Sequence, residues 1–264
     1  MNRKRVFRIQ YLFALLAAML VVPFSASAES SLADDAVVAM LRISYPKLVK
    51  DSGAPIESGS PEWDAYFEKS KDAVLQELHT NGSRVSPYNQ PSGSMLPTIA
   101  VGDTYYALPG YYRDHDPERG EVAIFQRAGS DTAWIKRVIG LPGDRIQMKA
   151  GRLWINGAIV ERRPTEISQQ VPKREATPEE YIEILPGGVA HRIWEFGDAN
   201  AFDNTEVIEV PAGRYFVMGD NRDRSNDSRV PDFGYVPRAA FSDRPDLIFM
   251  SPELSQIGKS VQPF

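Results

Sequence analysis

Apolar residues follow three different patterns along the 264-residue chain. The first is an unbroken run from Tyr11 to Phe24, preceded by Arg3, Lys4, Arg5 and Arg8 and followed by Ala26-Ser27-Ala28. A positive start, an apolar centre and a small-x-small finish mark residues 1–28 as an export segment. The run is short against the roughly 20 apolar residues of a membrane span, so a cleaved signal peptide and a retained N-terminal anchor both fit. Either way the positive end stays inside and the rest of the chain is exported. The second pattern is helical. Leu32, Ala36, Val37, Met40, Leu41 and Ile43 predict a short helix over 32–44, closed by Pro46. After a linker with Gly53, Pro55 and Gly59, the triplet Ser60-Pro61-Glu62 opens a second helix with a capping serine and proline at the first helical position. Trp63, Tyr66, Phe67, Val74, Leu75 and Leu78 line one side of it to about His79. Residues 29–84 thus read as a helical prelude and linker.

From about Val85 the pattern changes to short strands between turns. The strand candidates are 104–107, 122–126, 133–139, 145–148 and 152–155. Leu153-Trp154-Ile155 followed by Asn156-Gly157 is a hairpin signal with Ala158 to Val160 as the return strand. Strand character returns at 213–218 and again at 247–250, while 161–212 is richer in charge, Pro and Gly. The expected fold is mainly β. An antiparallel sheet core over 85–160 and 213–264 is split by an inserted subdomain, 161–212, and preceded by the small α-helical N-terminal region.

Composition narrows the chemistry. A formal charge of -5 with no basic stripe argues against nucleic acid as a partner. Cysteine is absent, which removes disulfides, thiolate metal sites and cysteine nucleophiles. His79, His115 and His191 each lack a companion motif and read as ordinary surface residues. The stretch RDHDPERGE, Arg113 to Glu121, lacks paired-ligand spacing and reads as a solvated turn.

Three stretches carry candidate chemistry. In PSGSMLPT, Pro91 to Thr98, Gly93 lets the backbone present the Ser94 hydroxyl. In WIKRVIGLPGD, Trp134 to Asp144, Lys136 sits in an apolar run. Burial lowers a lysine's pKa, so a desolvated Lys136 can serve Ser94 as a base, with Arg137 directed away along the strand. The third stretch, GDNRDRSNDSR, Gly219 to Arg229, is by itself a polar turn. It also offers a lysine base an orienting partner, and a carboxylate-arginine pair, Asp227 and Arg229, to fix the loop.

The order of these three stretches resembles the bacterial type I signal peptidase family, over roughly Val85 to Gly157 and Gly213 to Pro237. That resemblance implies a serine endopeptidase with Ser94 as nucleophile and Lys136 as general base. It implies an oxyanion hole from the Ser92 hydroxyl and the Ser94 backbone N–H, and a hydrogen bond from Ser225 to the lysine. Asp227 and Arg229 match a structural ion pair, and Gly219 and Asn221 a supporting loop. Met95, Ile99 and Ile135 fall on substrate-pocket positions, and Gln90 stands where the family usually has an aliphatic residue. A second departure is the longer end of the third stretch, Ser228 to Gly234. The expected partners are the signal peptides of exported preproteins and the cytoplasmic membrane surface, with the catalytic domain on the outer side or soluble in the periplasm. No metal or organic cofactor is expected. A related Ser/Lys peptidase dedicated to one client, such as a conjugative pilin, and a non-catalytic exported β-protein are the alternatives.

Overall fold

The computed structural model describes residues 7–8, 27–81, 85–130, 132–166 and 177–264. Most of the expected export segment, residues 9–26, lies outside them. Among the described residues no helix is long and apolar enough to cross a membrane. The chain divides into two compact units.

Unit 1 gathers the chain up to Pro91 with Val101–Pro109 and Pro245–Val261. It holds a short strand β1 (Phe7–Arg8), helices α1 (Ser27–Ser52) and α2 (Pro61–Asn81), and the antiparallel strands β2 (Ser86–Asn89) and β3 (Thr104–Leu108). The second helix starts where the sequence predicts, with the Ser60 hydroxyl accepting the Trp63 N–H at 3.1 Å. The first does not stop at Pro46 but continues through it to Ser52. Interior proline costs a helix a hydrogen bond and a steric clash, about 3 kcal/mol. Here the residues on either side outweigh that cost: Leu41, Tyr45, Leu48 and Val49 are all buried in one core with Phe67, Val74, Tyr106 and Phe249. Tyr45 meets Trp63 and Phe67 edge to face, at 5.1 and 5.0 Å between ring centres.

Unit 2 comprises Ser92–Ala100, Gly110–Arg244 and Gln262–Phe264. Its strands are β4 (Val122–Gln126), β5 (Ala133–Gly140), β6 (Arg145–Lys149), β7 (Arg152–Ile155), β8 (Ala158–Ile159), β9 (Glu161–Pro164), β10 (Glu179–Ile184), β11 (Ala190–Glu195), β12 (Ile208–Glu209), β13 (Arg214–Met218) and β14 (Val236–Pro237). The last strand, β15 (Phe241–Met250), starts here and pairs with β4 through Phe241 and Asp243. Lys136 stands on the antiparallel order β15-β4-β5-β13-β14. Strand alternation gives this sheet two apolar faces. Val138 and Val217 pack with Phe125, Phe233 and Phe241 on one side, and Ile139, Phe216 and Met218 pack with Ile146, Leu153 and Ile155 on the other. The Asn156-Gly157 hairpin forms as expected, both residues at positive φ (54° and 83°) and Ile155 facing Ala158.

Residues 161–212 hold strands that the sequence pattern does not reveal. β9, β10 and β11 form a three-stranded antiparallel sheet, and β12 adds instead to β6. Concealment has a physical cause: the inward positions are polar. β11 buries His191, Ile193 and Glu195 in alternation, and β10 buries Glu180 and Glu183.

Candidate active site

The nucleophile candidate stands on a single 3-10 turn, Gly93–Met95, closed by the Leu96 N–H donating to the Gly93 carbonyl at 3.3 Å. Ser94 is half-buried, while Met95 and Ile99 are fully buried and joined by an Ile99 N–H to Met95 carbonyl bond of 2.9 Å. Lys136 lies mid-strand in β5, directly opposite Ala123 of β4. A small cross-strand neighbour leaves the lysine stem room on that face. Its Nζ donates to Ser94 Oγ at 2.8 Å and to the Ile135 carbonyl at 2.9 Å. A turn and a strand 42 positions apart in sequence thus meet in one hydrogen bond.

Electrostatics suit this pair to proton transfer. Lys136 is only 3% exposed. Burial, opposed by the charges of Asp227 and Asp220 and aided by Arg229, brings its pKa down to about 8. At pH 7 about a tenth of such a lysine is neutral, against well under a thousandth for an ordinary one near 10.4. A neutral amine at 2.8 Å from a hydroxyl can accept its proton.

The loop after β13 clamps the nucleophile's turn. Asn221 Nδ2 donates to the Gly93 carbonyl at 2.9 Å and its backbone N–H to the Ser94 carbonyl at 3.2 Å. Gly219 passes so close that an added Cβ would stand 2.4 Å from the Ser94 carbonyl oxygen and 2.3 Å from Ser225 Oγ. Asp227 accepts the Gly219 N–H at 3.0 Å and grips Arg229 with both oxygens at 2.9 Å. Burial would raise the Asp227 pKa, but Arg229 and the Gly219 N–H hold it below the usual carboxylate range. Arg229 in turn donates to the Arg222 carbonyl.

Ser92 Oγ lies 3.3 Å from Ser94 Oγ, beside the candidate nucleophile. Ser225 Oγ is buried but makes no hydrogen bond to Lys136, whose amine spends its bonds on Ser94 and Ile135. Ser225 still helps hold the Asp227 carboxyl down. The pocket candidates divide: Met95, Ile99 and Ile135 are buried in unit 2, whereas Gln90 belongs to unit 1. Gln90 is fully buried there, its backbone bonded to Asp103 and Gly102 at 2.8 Å each.

Sequence reasoning passed over two partners. Arg137 does point away from Lys136, but into the interior rather than along the strand. It is 1% exposed, binds Asp220 in a fork at 2.8 and 2.6 Å, and donates to the Gly120 carbonyl at 2.7 Å. Asp220 also accepts the Thr98 hydroxyl, so the pair joins β5, the catalytic loop and the end of PSGSMLPT. Strict alternation along β5 was the available signal, since it puts neighbours on opposite faces. His191 is a correction: it is 1% exposed, not a surface residue. Its Nε2 stands 3.4 Å from Glu183, which forks with Arg222 at 2.9 and 2.5 Å. Burial, with Arg137 and Arg222 nearby, holds its pKa well below normal. Among the described residues it makes no hydrogen bond to Ser94 or Lys136.

Comparison with known proteins bears on the family of the chain. The family described as "Signal peptidase, peptidase S26" matches residues 73–250, about two thirds of the chain. Signal peptidase I of Rickettsia prowazekii is 33% identical over 198 residues, covering 65% of this chain and 74% of that protein. Signal peptidase I of Rickettsia felis is 30% identical over the same length, 65% and 73% of the two chains. A crystal structure of a signal peptidase I from Enterococcus faecalis is 27% identical over 48% of this chain and 94% of that one, at a TM-score of 0.31, too low to add weight. The sequence matches are sufficient: the chain belongs to the signal peptidase, peptidase S26, family.

Proposed function

We propose that this protein is a serine endopeptidase that removes N-terminal signal peptides from exported preproteins after small residues, with Ser94 as nucleophile and Lys136 as general base. The observation that carries the reading is the 2.8 Å contact between Ser94 Oγ and a buried amine whose pKa is lowered to about 8. The neutral amine takes the Ser94 proton as the oxygen attacks the scissile carbonyl. It then returns the proton to the leaving amine, and water hydrolyses the acyl-enzyme. The Ser92 hydroxyl and the Ser94 N–H are assigned to the developing oxyanion. Asp227–Arg229 and Arg137–Asp220 hold the two loops in register. The substrate lies as an added strand with small side chains seated over Met95, Ile99 and Ile135. The apolar run 11–24 supports action at the outer side of the cytoplasmic membrane.

The test uses the full-length protein in detergent with a panel of exported preproteins and a pilin precursor. Ser94→Ala and Lys136→Ala should each abolish cleavage while melting close to the parent chain. Unchanged cleavage in both variants refutes the Ser/Lys assignment. Cleavage of the pilin precursor alone would restrict the substrate to one dedicated client.

A further inference from the structure

A second cluster of charge lies in unit 2, apart from Ser94 and Lys136. Among the described residues, one carboxylate oxygen each from Glu195, Asp203 and Asp223 lies within 4.8 Å of the others. Two of the three are held by backbone donors: the Phe196 N–H gives to Asp223 at 2.6 Å and the Asn200 N–H to Asp203 at 2.5 Å. Glu195 is different. It is 2% exposed at the end of β11, and neither carboxylate oxygen receives a hydrogen bond. Two cations act on it without donating a hydrogen bond: Arg162, 3.6 Å off, divides its charge with Asp198 at 3.3 Å, and Arg222 spends its fork on Glu183. A buried carboxylate without donors is costly, and two like charges beside it raise the cost.

Protonation alone does not resolve the site. A protonated carboxyl would still have buried oxygens without partners. A divalent cation answers both the charge and the missing donors. The donor set is oxygen only, which selects a hard ion. Ligands of one calcium ion at ~2.3–2.6 Å stand at most ~5 Å apart, a span that accommodates this cluster.

We infer that Glu195, Asp203 and Asp223 form a calcium site that ties the turn after β11 to the catalytic loop. Asp223 lies in that loop, two residues beyond Asn221, whose side chain holds the Gly93 carbonyl. Metal at Asp223 therefore braces the nucleophile's turn from behind and takes no part in the chemistry. Asp223, Glu195 and Asp203 are positioning residues, and the inference does not depend on the peptidase assignment.

Full-length protein in detergent is stripped with chelator and titrated calorimetrically with CaCl2, in parallel with thermal melts. One calcium should bind per chain, and at a hundred times Kd the melting temperature should rise by roughly 5–10 °C. Glu195→Gln and Asp203→Asn should each weaken calcium binding at least tenfold. Glu195→Gln should melt no lower than the parent in chelator, because the amide keeps the side chain's shape without a buried charge, so the variant remains informative even with no metal present. Absence of both heat and thermal shift at millimolar calcium overturns the proposal in the parent chain alone. So does a shift that survives both substitutions, or magnesium binding more tightly than calcium.

Discussion

At the residue scale, Lys136 shows how burial that costs stability also suits a side chain to the role proposed for it. Its pKa in the folded protein, about 8, lies below its ordinary value of 10.5 because burial penalises the charge. Between those values the unfolded chain binds more protons than the native one, so stability rises with pH across that window. Below pH 8 the lysine is charged in both states and its burial penalty is felt in full. Lys136→Met should therefore abolish cleavage and raise the melting temperature at pH 7, with the gain shrinking toward pH 10.5. An equal gain at both pH values would mean that the lysine is not the titrating group. The same pKa predicts that kcat/KM climbs with pH and levels off above about 8. Ser92 makes a separate prediction: Ser92→Ala should lower turnover by ~10²–10³ with KM little changed, since an oxyanion donor acts in the transition state. Ser94 and Lys136 were legible in the sequence because each required chemistry has few residue types that can supply it. Arg137, Asp220 and His191 were not, because a charged or polar residue carries no mark of burial until its partner is known.

At the element scale, the site is a meeting of one strand and two loops. β5 is legible from its apolar run, and the structure lengthens it by one residue, to Gly140. The loops are harder: nothing in GDNRDRSNDSR states which residue faces the nucleophile. The structure assigns that place to Gly219, where the Ser94 carbonyl and the Ser225 hydroxyl leave no space for a side chain. Gly219→Ala should displace the Ser94 turn and lower kcat by about 10²-fold, the effect expected of a misplacement near 1 Å. Activity within twofold of the parent would show that the loop yields without cost to the site. Pro46 gives the opposite lesson. A local rule ends α1 there, yet the packing of Tyr45, Leu48 and Val49 carries the helix on to Ser52. Local propensity is worth a few kcal/mol, and burial of several large side chains exceeds it.

At the scale of the whole molecule, the region 161–212 changes meaning most. Its charge and Pro/Gly content suggested an insert without chemistry, and its hairpin β10–β11 nevertheless bonds to the catalytic loop. The Trp194 N–H donates to the Asp220 carbonyl at 2.9 Å, and Glu183 forks with Arg222. Glu183→Ala, by leaving Arg222 buried and unpaired, should cost about 3–5 kcal/mol and lower activity with it. Denaturant unfolding checks this, and a loss under about 1 kcal/mol would mean that the pair is incidental. Taken alone, the sequence determined the export segment as an expectation, the β-rich class, the Asn-Gly hairpin, and Ser94 and Lys136 as the nucleophile and base proposed above. Those follow from local propensity and from which side chains can perform a reaction. Tertiary structure alone decided that Lys136 is desolvated beside Ser94, that Arg137 and Asp220 pair beneath it, and that acidic residues of the insert converge. The physical reason is common to all three: burial and proximity between distant segments set pKa and pairing, and neither is encoded in the spacing of residues along the chain.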